Sequence, residues 1–498
     1  MINLKELGEP SEFWEYFGQI TKIPRCSQNE ERVRNYIREE AEKLGFKTQV
    51  DNIGNLVVRI PARSQQEKKG ILQCHMDMVC EKNEAVTHDF SKDPLKLEII
   101  EDKNEKWITA IGTTLGADNG VGICYILTLM KKIKNKELGF DTLALDLLFT
   151  VDEEQGLRGA FEIDSKLIDG DFLINLDSEE DTSVTIGCAG GIVTFYYLKT
   201  DRININQIKS VLIPIKLDLL GLLGGHSGVD IHLGRGNAIK IISQILSNLN
   251  DKFSIHLCSI DGGNRTNAIP REVSTIFYVE KENVSEIKIF IKEHFNNIKI
   301  LYDSIEPNLE IIITKLENFS NETVLVKEMQ DKILSILNLM PCGPLSMHPR
   351  IKDLVFSSTN LAVINTREQD IEIKLSQRSL SEYFKYLIWE NVKSLLELSD
   401  LEIQYKIDSD YPGWNPNFNS RLLNNYKEVY RNLVNEDLII KAIHAGLECG
   451  ILKKKFPQME MISIGPKNEG AHSPDEKLKI KSIENVWKLL INLLQKLS

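Results

Sequence analysis

The sequence has no apolar run long enough to cross a bilayer. Its most hydrophobic stretches are short or broken by charge, below the roughly 18 consecutive residues that a span needs. The opening MINLKELGEPSEFWEYF lacks a basic segment followed by an apolar core, so no signal peptide is expected. No CxxC pair occurs among the eight cysteines, at 26, 74, 80, 124, 188, 258, 342 and 449. In so long a chain this predicts reduced, mostly buried thiols and a cytoplasmic location. In that compartment the sequons at Asn264 and Asn318 carry no meaning. Positive charge is also short: 60 Lys and Arg stand against 72 Asp and Glu, a formal net charge of -12. That excludes the basic face of a nucleic-acid binder, and the isolated run Lys453-Lys454-Lys455 reads as a solvated face. There is no GxSxG and no recognisable Cys–His pairing motif, so no protein nucleophile is expected.

What is present is the composition of an ordinary globular protein, 42% hydrophobic and 27% charged over 498 residues. That length is too great for one core and predicts two domains. Residues 12–44 read as helical, with Ser27 and Glu30 at capping-box spacing, Val33, Ile37, Ala41 and Leu44 at helical period, and Gly45 as the stop. Strands are expected at 56–60, 71–79, 143–151 and 171–177, with a buried helix near 119–133. Strands alternating with helices predict an α/β domain with a mostly parallel central sheet. After GCAGG at 187–191 the texture changes to strands alternating with amphipathic helices, at 237–249 and 284–298, an α+β pattern that lasts to about residue 400. The expected division is therefore 1–191 with 401–498 as one domain, and 192–400 inserted into it as a second.

Chemistry-bearing residues gather at the expected strand ends and loops of the first domain. They are His75 in CHMDMV, Asp118 in TTLGADNG, Glu154 in TVDEEQG, Asp177 in INLDSEE and His472 in GAHSPDE. Carboxyl ends of parallel strands are where open α/β sheets build sites. A mixed imidazole and carboxylate set suits zinc and tolerates manganese or cobalt. His75 and Asp77, two apart on a strand, leave the same face, so Asp77 can accept the second imidazole N–H and fix the ligating tautomer. Glu153 and Glu154, being adjacent, are expected to point opposite ways in an extended segment, one as ligand and one as general base.

The blocks HMDMV, GTTLGADNGVG, DEEQGLRGA, NLDSEE, GCAGG, GGHSG, NAIPRE, YPGW, HAGLECG and GAHSPDE, in this order from about residue 10 to 490, resemble the cytosolic aminoacyl-histidine (Xaa-His) dipeptidases. These are co-catalytic zinc peptidases related to carnosinases and aminoacylases. The resemblance implies a zinc-peptidase catalytic domain interrupted by a lid and dimerisation domain. It implies two zinc ions, one on His75 and Asp177, the other on Glu154 and His472, with Asp118 bridging. Asp77 would orient His75, and Glu153 would activate a metal-bridging hydroxide that cleaves dipeptides, Xaa-His by preference. Three ligand carboxylates against two Zn²⁺ leave one positive charge, which that hydroxide would neutralise. A cis peptide is expected at Asp118–Asn119. For substrate contacts the resemblance implies His226 as an oxyanion donor reaching a partner subunit in a homodimer. It further implies Asn267 as a donor, Arg378 as a clamp on the C-terminal carboxylate, and Glu448 on the amine. His444 is left without a role, and His88, His232, His256, His294 and His348 are read as structural. A related amidohydrolase, an aminoacylase or a tripeptidase with the same metal centre, is the alternative. The long inserted domain and the HAGLECG loop favour the dipeptidase.

Overall fold

The computed structural model describes residues 2–64, 68–317 and 319–498; the sequon at Asn318 lies outside them. The chain divides into two compact units, one of residues 1–188, 414–442 and 447–498, the other of residues 189–413 and 443–446.

The first unit carries an eight-stranded mixed sheet, ordered Lys47–Val50, Leu56–Ile60, Leu143–Thr150, Lys68–His75, Phe172–Asn175, Glu460–Ser463, Ser183–Cys188 and Ile439–Ile443. Its middle is parallel: Lys68–His75 lies between Leu143–Thr150 and Phe172–Asn175, and Glu460–Ser463 follows in the same sense. On the flanks the pairings are antiparallel, Lys47–Val50 with Leu56–Ile60, Leu56–Ile60 with Leu143–Thr150, and Ser183–Cys188 with Glu460–Ser463. The parallel strands are buried along nearly their whole length, as strands covered on both faces must be. Their continuous apolar runs therefore show no alternation. Because four strands point one way, the residues after His75, Thr150, Asn175 and Ser463 emerge along one edge.

Helices Ser11–Ile20, Ala117–Lys134 and Ile480–Leu497 join the core of this unit. The Phe13, Tyr125 and Trp487 rings pack in series, at 4.9 and 6.1 Å between centroids, and the Tyr125 hydroxyl donates to the Ile483 carbonyl at 2.9 Å. The expected helix over 12–44 is two, Ser11–Ile20 and Glu31–Lys43. Ser27 does not cap the second; its hydroxyl is spent on Asp77, and Glu30 takes the Gln28 and Asp152 amides instead.

One expectation about the thiols is overturned. Cys26 and Cys80 form a disulfide with their Cα atoms 5.7 Å apart, while Cys74, Cys124, Cys188, Cys258 and Cys449 are buried free thiols and Cys342 is half-buried. A separation of 54 residues hides the pairing, which arises because Cys26 bridges in parallel to Met78, just beyond strand Lys68–His75.

The second unit holds a large antiparallel sheet. Its order is Glu310–Lys315, Leu212–Leu220, Val273–Glu280, Ile255–Gly262, Val355–Thr366, Asp370–Ser379, Gly190–Lys199 and Ile403–Tyr411, with Gly343–Met347 also on Val355–Thr366. Helices Ala238–Lys252, Val284–Tyr302 and Lys327–Leu339 share its core. The chain re-enters the first unit at Trp414 rather than near 401, because Ile403–Tyr411 pairs with Gly190–Lys199 along its length. Among the described residues no helix is long and apolar enough to cross a membrane.

Candidate active site

The edge where the parallel strands end is lined with imidazole and carboxylate. His75 is the last residue of its strand and is 1% exposed. Its Nε2 lies 2.8 Å from Asp118 Oδ1 and 3.3 Å from Asp177 Oδ1. On the other side of Asp118, Oδ2 lies 3.2 Å from His472 Nε2, which is itself 3.0 Å from Glu154 Oε2. Among the groups of metal-competent atoms in the described residues, two share Asp118, one with His75 and Asp177, the other with Glu154 and His472. All five residues expected as ligands are brought together.

The remaining geometry shows what holds them. His75 Nδ1 is 3.1 Å from the Asp77 carbonyl and 3.3 Å from Asp77 Oδ1, so the proton sits on Nδ1 and Nε2 offers its lone pair. Asp77 does more than orient that ring: Oδ1 accepts the Glu153 amide and Oδ2 the Glu154 amide, each at 3.1 Å, with the Ser27 hydroxyl at 2.8 Å. One buried carboxylate therefore fixes two strand ends. The Asp118–Asn119 peptide is cis, and the Asn119 side-chain amide donates to Asp177 Oδ1.

The expectation that Glu153 and Glu154 diverge is corrected. Asp152 has a φ of 52°, and the amides of Gly156 and Leu157 donate to the Glu153 carbonyl. The segment is a turn, not an extended strand, and both carboxylates approach His75.

The electrostatics report crowding of negative charge. Burial would raise the Asp77 carboxyl, but His75, the Glu153 amide and the Ser27 hydroxyl hold it down at about 2. Burial pushes the Asp177 carboxyl up to about 7, with Asp118 and Glu154 adding to the rise. The Glu153 carboxyl is raised well above the usual range by burial first, then by Asp177 and Glu154. Hydrogen bonds to Asp118 and Glu154 push His472 up to about 11. Burial opposes protonation of His75, yet Asp177, Asp118 and Asp77 raise it well above an ordinary imidazole. Five convergent donors of this kind, with Glu154 Oε1 buried and unpartnered among the described residues, fit divalent cations.

Glu448 occupies a different setting from a substrate-facing one. It is 1% exposed, and its Oε2 accepts from the Gln73 amide and, at 2.8 Å, from the Thr150 hydroxyl. With Asn175 and Ser463 these side chains make a polar row inside the sheet. Burial first raises the Glu448 carboxyl to about 8. Nothing in the apolar look of the strands signalled this row, and nothing local signalled the bond from Ser27 to Asp77.

The second unit brings together the other expected substrate residues. His226 and Asn267 flank a short ladder in which His226 pairs with Ala268, and the Ser227 amide donates to the Asn267 carbonyl at 2.8 Å. His226 Nδ1 accepts the amides of Gly228 and Val229 at 3.2 and 3.0 Å, so a neutral ring carries its proton on Nε2. Arg378 is buried, with Nη1 donating to the Tyr411 hydroxyl at 2.7 Å. A Cβ on Gly228 would lie 3.3 Å from the Arg378 guanidinium carbon and 3.0 Å from the His226 ring, so the three are neighbours. His444 joins them: its Nε2 lies 2.7 Å from the Ser358 hydroxyl.

Comparison with known proteins matches this arrangement to hydrolases of peptides. The chain is 36% identical to the cytosol non-specific dipeptidase of Escherichia coli (strain K12), over 100% of this chain and 99% of that one. A crystal structure of the aminoacylhistidine dipeptidase from Vibrio alginolyticus superposes with a TM-score of 0.85 at 34% identity, covering 98% of this chain and 97% of that chain. A tripeptidase from Staphylococcus aureus shares the fold alone, at a TM-score of 0.55 and 16% identity, covering 97% of each chain. The sequence profile of Peptidase family M20/M25/M40 matches residues 71–496, and with these relatives it places the chain as a member of that peptidase family.

Proposed function

We propose that this chain is a two-metal dipeptidase of the cytoplasm, with zinc as its metal and manganese or cobalt able to substitute. The observation that carries this reading is the sharing of Asp118 between two ligand groups, one oxygen toward His75 and the other toward His472. His75 and Asp177 would hold one cation, Glu154 and His472 the other, and Asp118 both. Bound cations would polarise the scissile carbonyl and acidify the attacking water.

The protein's own groups do the rest. Asp77 keeps the His75 proton on Nδ1 and presents Nε2. Glu153 takes a proton from the attacking water and hands it to the leaving amine, as suits a carboxylate raised by its buried, negatively charged setting. His226, protonated on Nε2, is suited to donate to the developing oxyanion, and we assign this to a homodimer through the second unit. Arg378, held by Tyr411, presents a planar fork for the substrate carboxylate. Asn267 is a further donor, while Glu448, buried against Gln73 and Thr150, is given no substrate contact.

The two close relatives carry different names, one a non-specific dipeptidase and one an aminoacylhistidine dipeptidase. We therefore propose unblocked dipeptides as the substrate class, with Xaa-His preferred within it. The test is a panel of Xaa-His dipeptides, other dipeptides and N-acyl amino acids, assayed with the metal-loaded enzyme and its Glu153→Gln variant. Dipeptides should be cleaved, and the variant should lose at least about 100-fold in kcat while keeping its metal. Cleavage of N-acyl amino acids alone would replace this reading with an aminoacylase. Near-normal turnover by Glu153→Gln would remove Glu153 as the base.

A further inference from the structure

Two buried ionic side chains outside the ligand set, Arg25 and Glu476, grip the loop that carries Asp118, and they meet at Gly116. Both are 1% exposed. Glu476 Oε2 accepts the Leu115 and Gly116 amides at 2.7 and 2.8 Å, and Oε1 accepts the Asp118 amide at 3.2 Å. Arg25 Nη2 donates to the Gly116 carbonyl. Residue 116 is therefore held through its N–H by a carboxylate and through its C=O by a guanidinium. Its backbone has a φ of 66°, and a Cβ there would lie 2.6 Å from Arg25 Nη2 and 2.7 Å from the Met78 sulfur. Only glycine leaves room for the guanidinium in that conformation.

The same two side chains tie in the neighbouring ligand segments. Arg25 Nη1 donates to the Met76 and Asp77 carbonyls at 3.1 and 2.8 Å, directly after His75. Glu476 lies four residues beyond His472, in a loop turned by Ser473 N–H to Gly470 and Glu476 N–H to Ser473. His472 itself has a φ of 64° within that loop. Three of the five ligands, His75, Asp118 and His472, thus hang on segments fastened by this one pair. The residue types are demanding. The three carbonyls lie on two segments, and arginine's planar fork meets them with two nitrogens, Nη1 toward Met76 and Asp77 and Nη2 toward Gly116, a spread that the compact ammonium of lysine does not match. Three amides need a carboxylate, because a glutamine would turn N–H groups toward N–H groups.

We propose that Arg25 and Glu476 are positioning residues that set the place of Asp118 between the two cations. This rests on the two-metal reading above. The pair touches neither substrate nor cation; it acts through the Gly116 peptide and through the segments after His75 and His472.

The test uses Mn²⁺ as probe on the full-length chain, in wild type, Glu476→Gln and Arg25→Lys. Equilibrium dialysis reads affinity, and low-temperature electron paramagnetic resonance reads exchange coupling between two Mn²⁺ ions. Circular dichroism and gel filtration establish that each variant is folded. Wild type should bind two Mn²⁺ with a coupled signal. In folded variants the weaker site should lose about 10–100-fold in affinity, the range found when groups supporting ligands are removed, and the coupled signal should give way to that of isolated ions. Two tightly bound, coupled Mn²⁺ in both variants would overturn the proposal, and so would failure of both variants to fold, since the pair would then be merely structural. A wild type that binds fewer than two Mn²⁺ would overturn the two-metal reading itself, and this proposal with it.

Discussion

His444 gives the second unit a dependence on pH that can be worked out before it is measured. The ring is buried against Ser358, with the Arg378 charge and the His226 and His232 rings nearby. Burial first, then those neighbours, lowers its pKa to about 3. In the unfolded chain an imidazole titrates near 6.5. Between these values the unfolded state binds the extra proton, so stability is complete above about pH 6.5 and is lost as pH falls toward 3. At pH 5 the unfolded imidazole is about 1.5 units below its pKa, which at 1.36 kcal/mol per unit amounts to about 2 kcal/mol. A His444→Gln variant keeps a polar group beside Ser358 but cannot titrate. It should be less stable than wild type at pH 7 by about 1 kcal/mol for the weakened hydrogen bond. Urea unfolding of both proteins at pH 7 and pH 5 should show that difference shrink or reverse by about 2 kcal/mol. Every other acid-sensitive group is common to the two proteins and cancels. Parallel losses in the two proteins, within about 0.5 kcal/mol, would refute the assignment of a buried, neutral His444.

Other consequences follow from the site and its supports. Stripping divalent cations with a chelator should lower the thermal midpoint by several degrees, because a ligand present at 100 times its Kd contributes about 2.7 kcal/mol; calorimetry with and without added Zn²⁺ reads this. Gly116→Ala should cost about 1–3 kcal/mol in urea unfolding and weaken metal binding, since its Cβ meets Arg25 and Met78. Gly343→Ala, at a φ of 99° with open space around it, should cost stability and leave metal binding alone. A thiol titration in denaturant should find six reactive groups before reduction and all eight after, because Cys26 and Cys80 are joined.

The parts of the fold that were legible in the sequence are those where local pattern and burial agree. Strand 56–60 and the ends of helices such as Glu31–Lys43, stopped before Gly45 with its φ of 85°, could be read from apolar spacing and a turn residue. The convergence of His75, Asp118, Glu154, Asp177 and His472 was legible because each lies at a strand end or in a short motif. What was hidden depends on contacts distant in sequence. Ser27 has capping spacing, but its partner is Asp77, 50 residues on. Glu153 and Glu154 seemed bound to diverge only because the positive φ of Asp152 is not written in the residue types around it. The Gln73, Thr150, Asn175 and Ser463 row lies in strands whose apolar neighbours mask it, and no local pattern around Arg25 marks its burial beside the end of strand Lys68–His75. The boundary near 400 misplaced strand Ile403–Tyr411 because its alternation looks the same whichever sheet it joins.

The central claim is that Asp118 bridges two cations, and counting them tests it most directly. Metal analysis of the purified, zinc-loaded chain should give two equivalents per chain in wild type and in Glu153→Gln, and one or fewer in Asp118→Ala, whose folded state is verified by circular dichroism. Two equivalents retained by Asp118→Ala, or a single equivalent in wild type, would contradict the account.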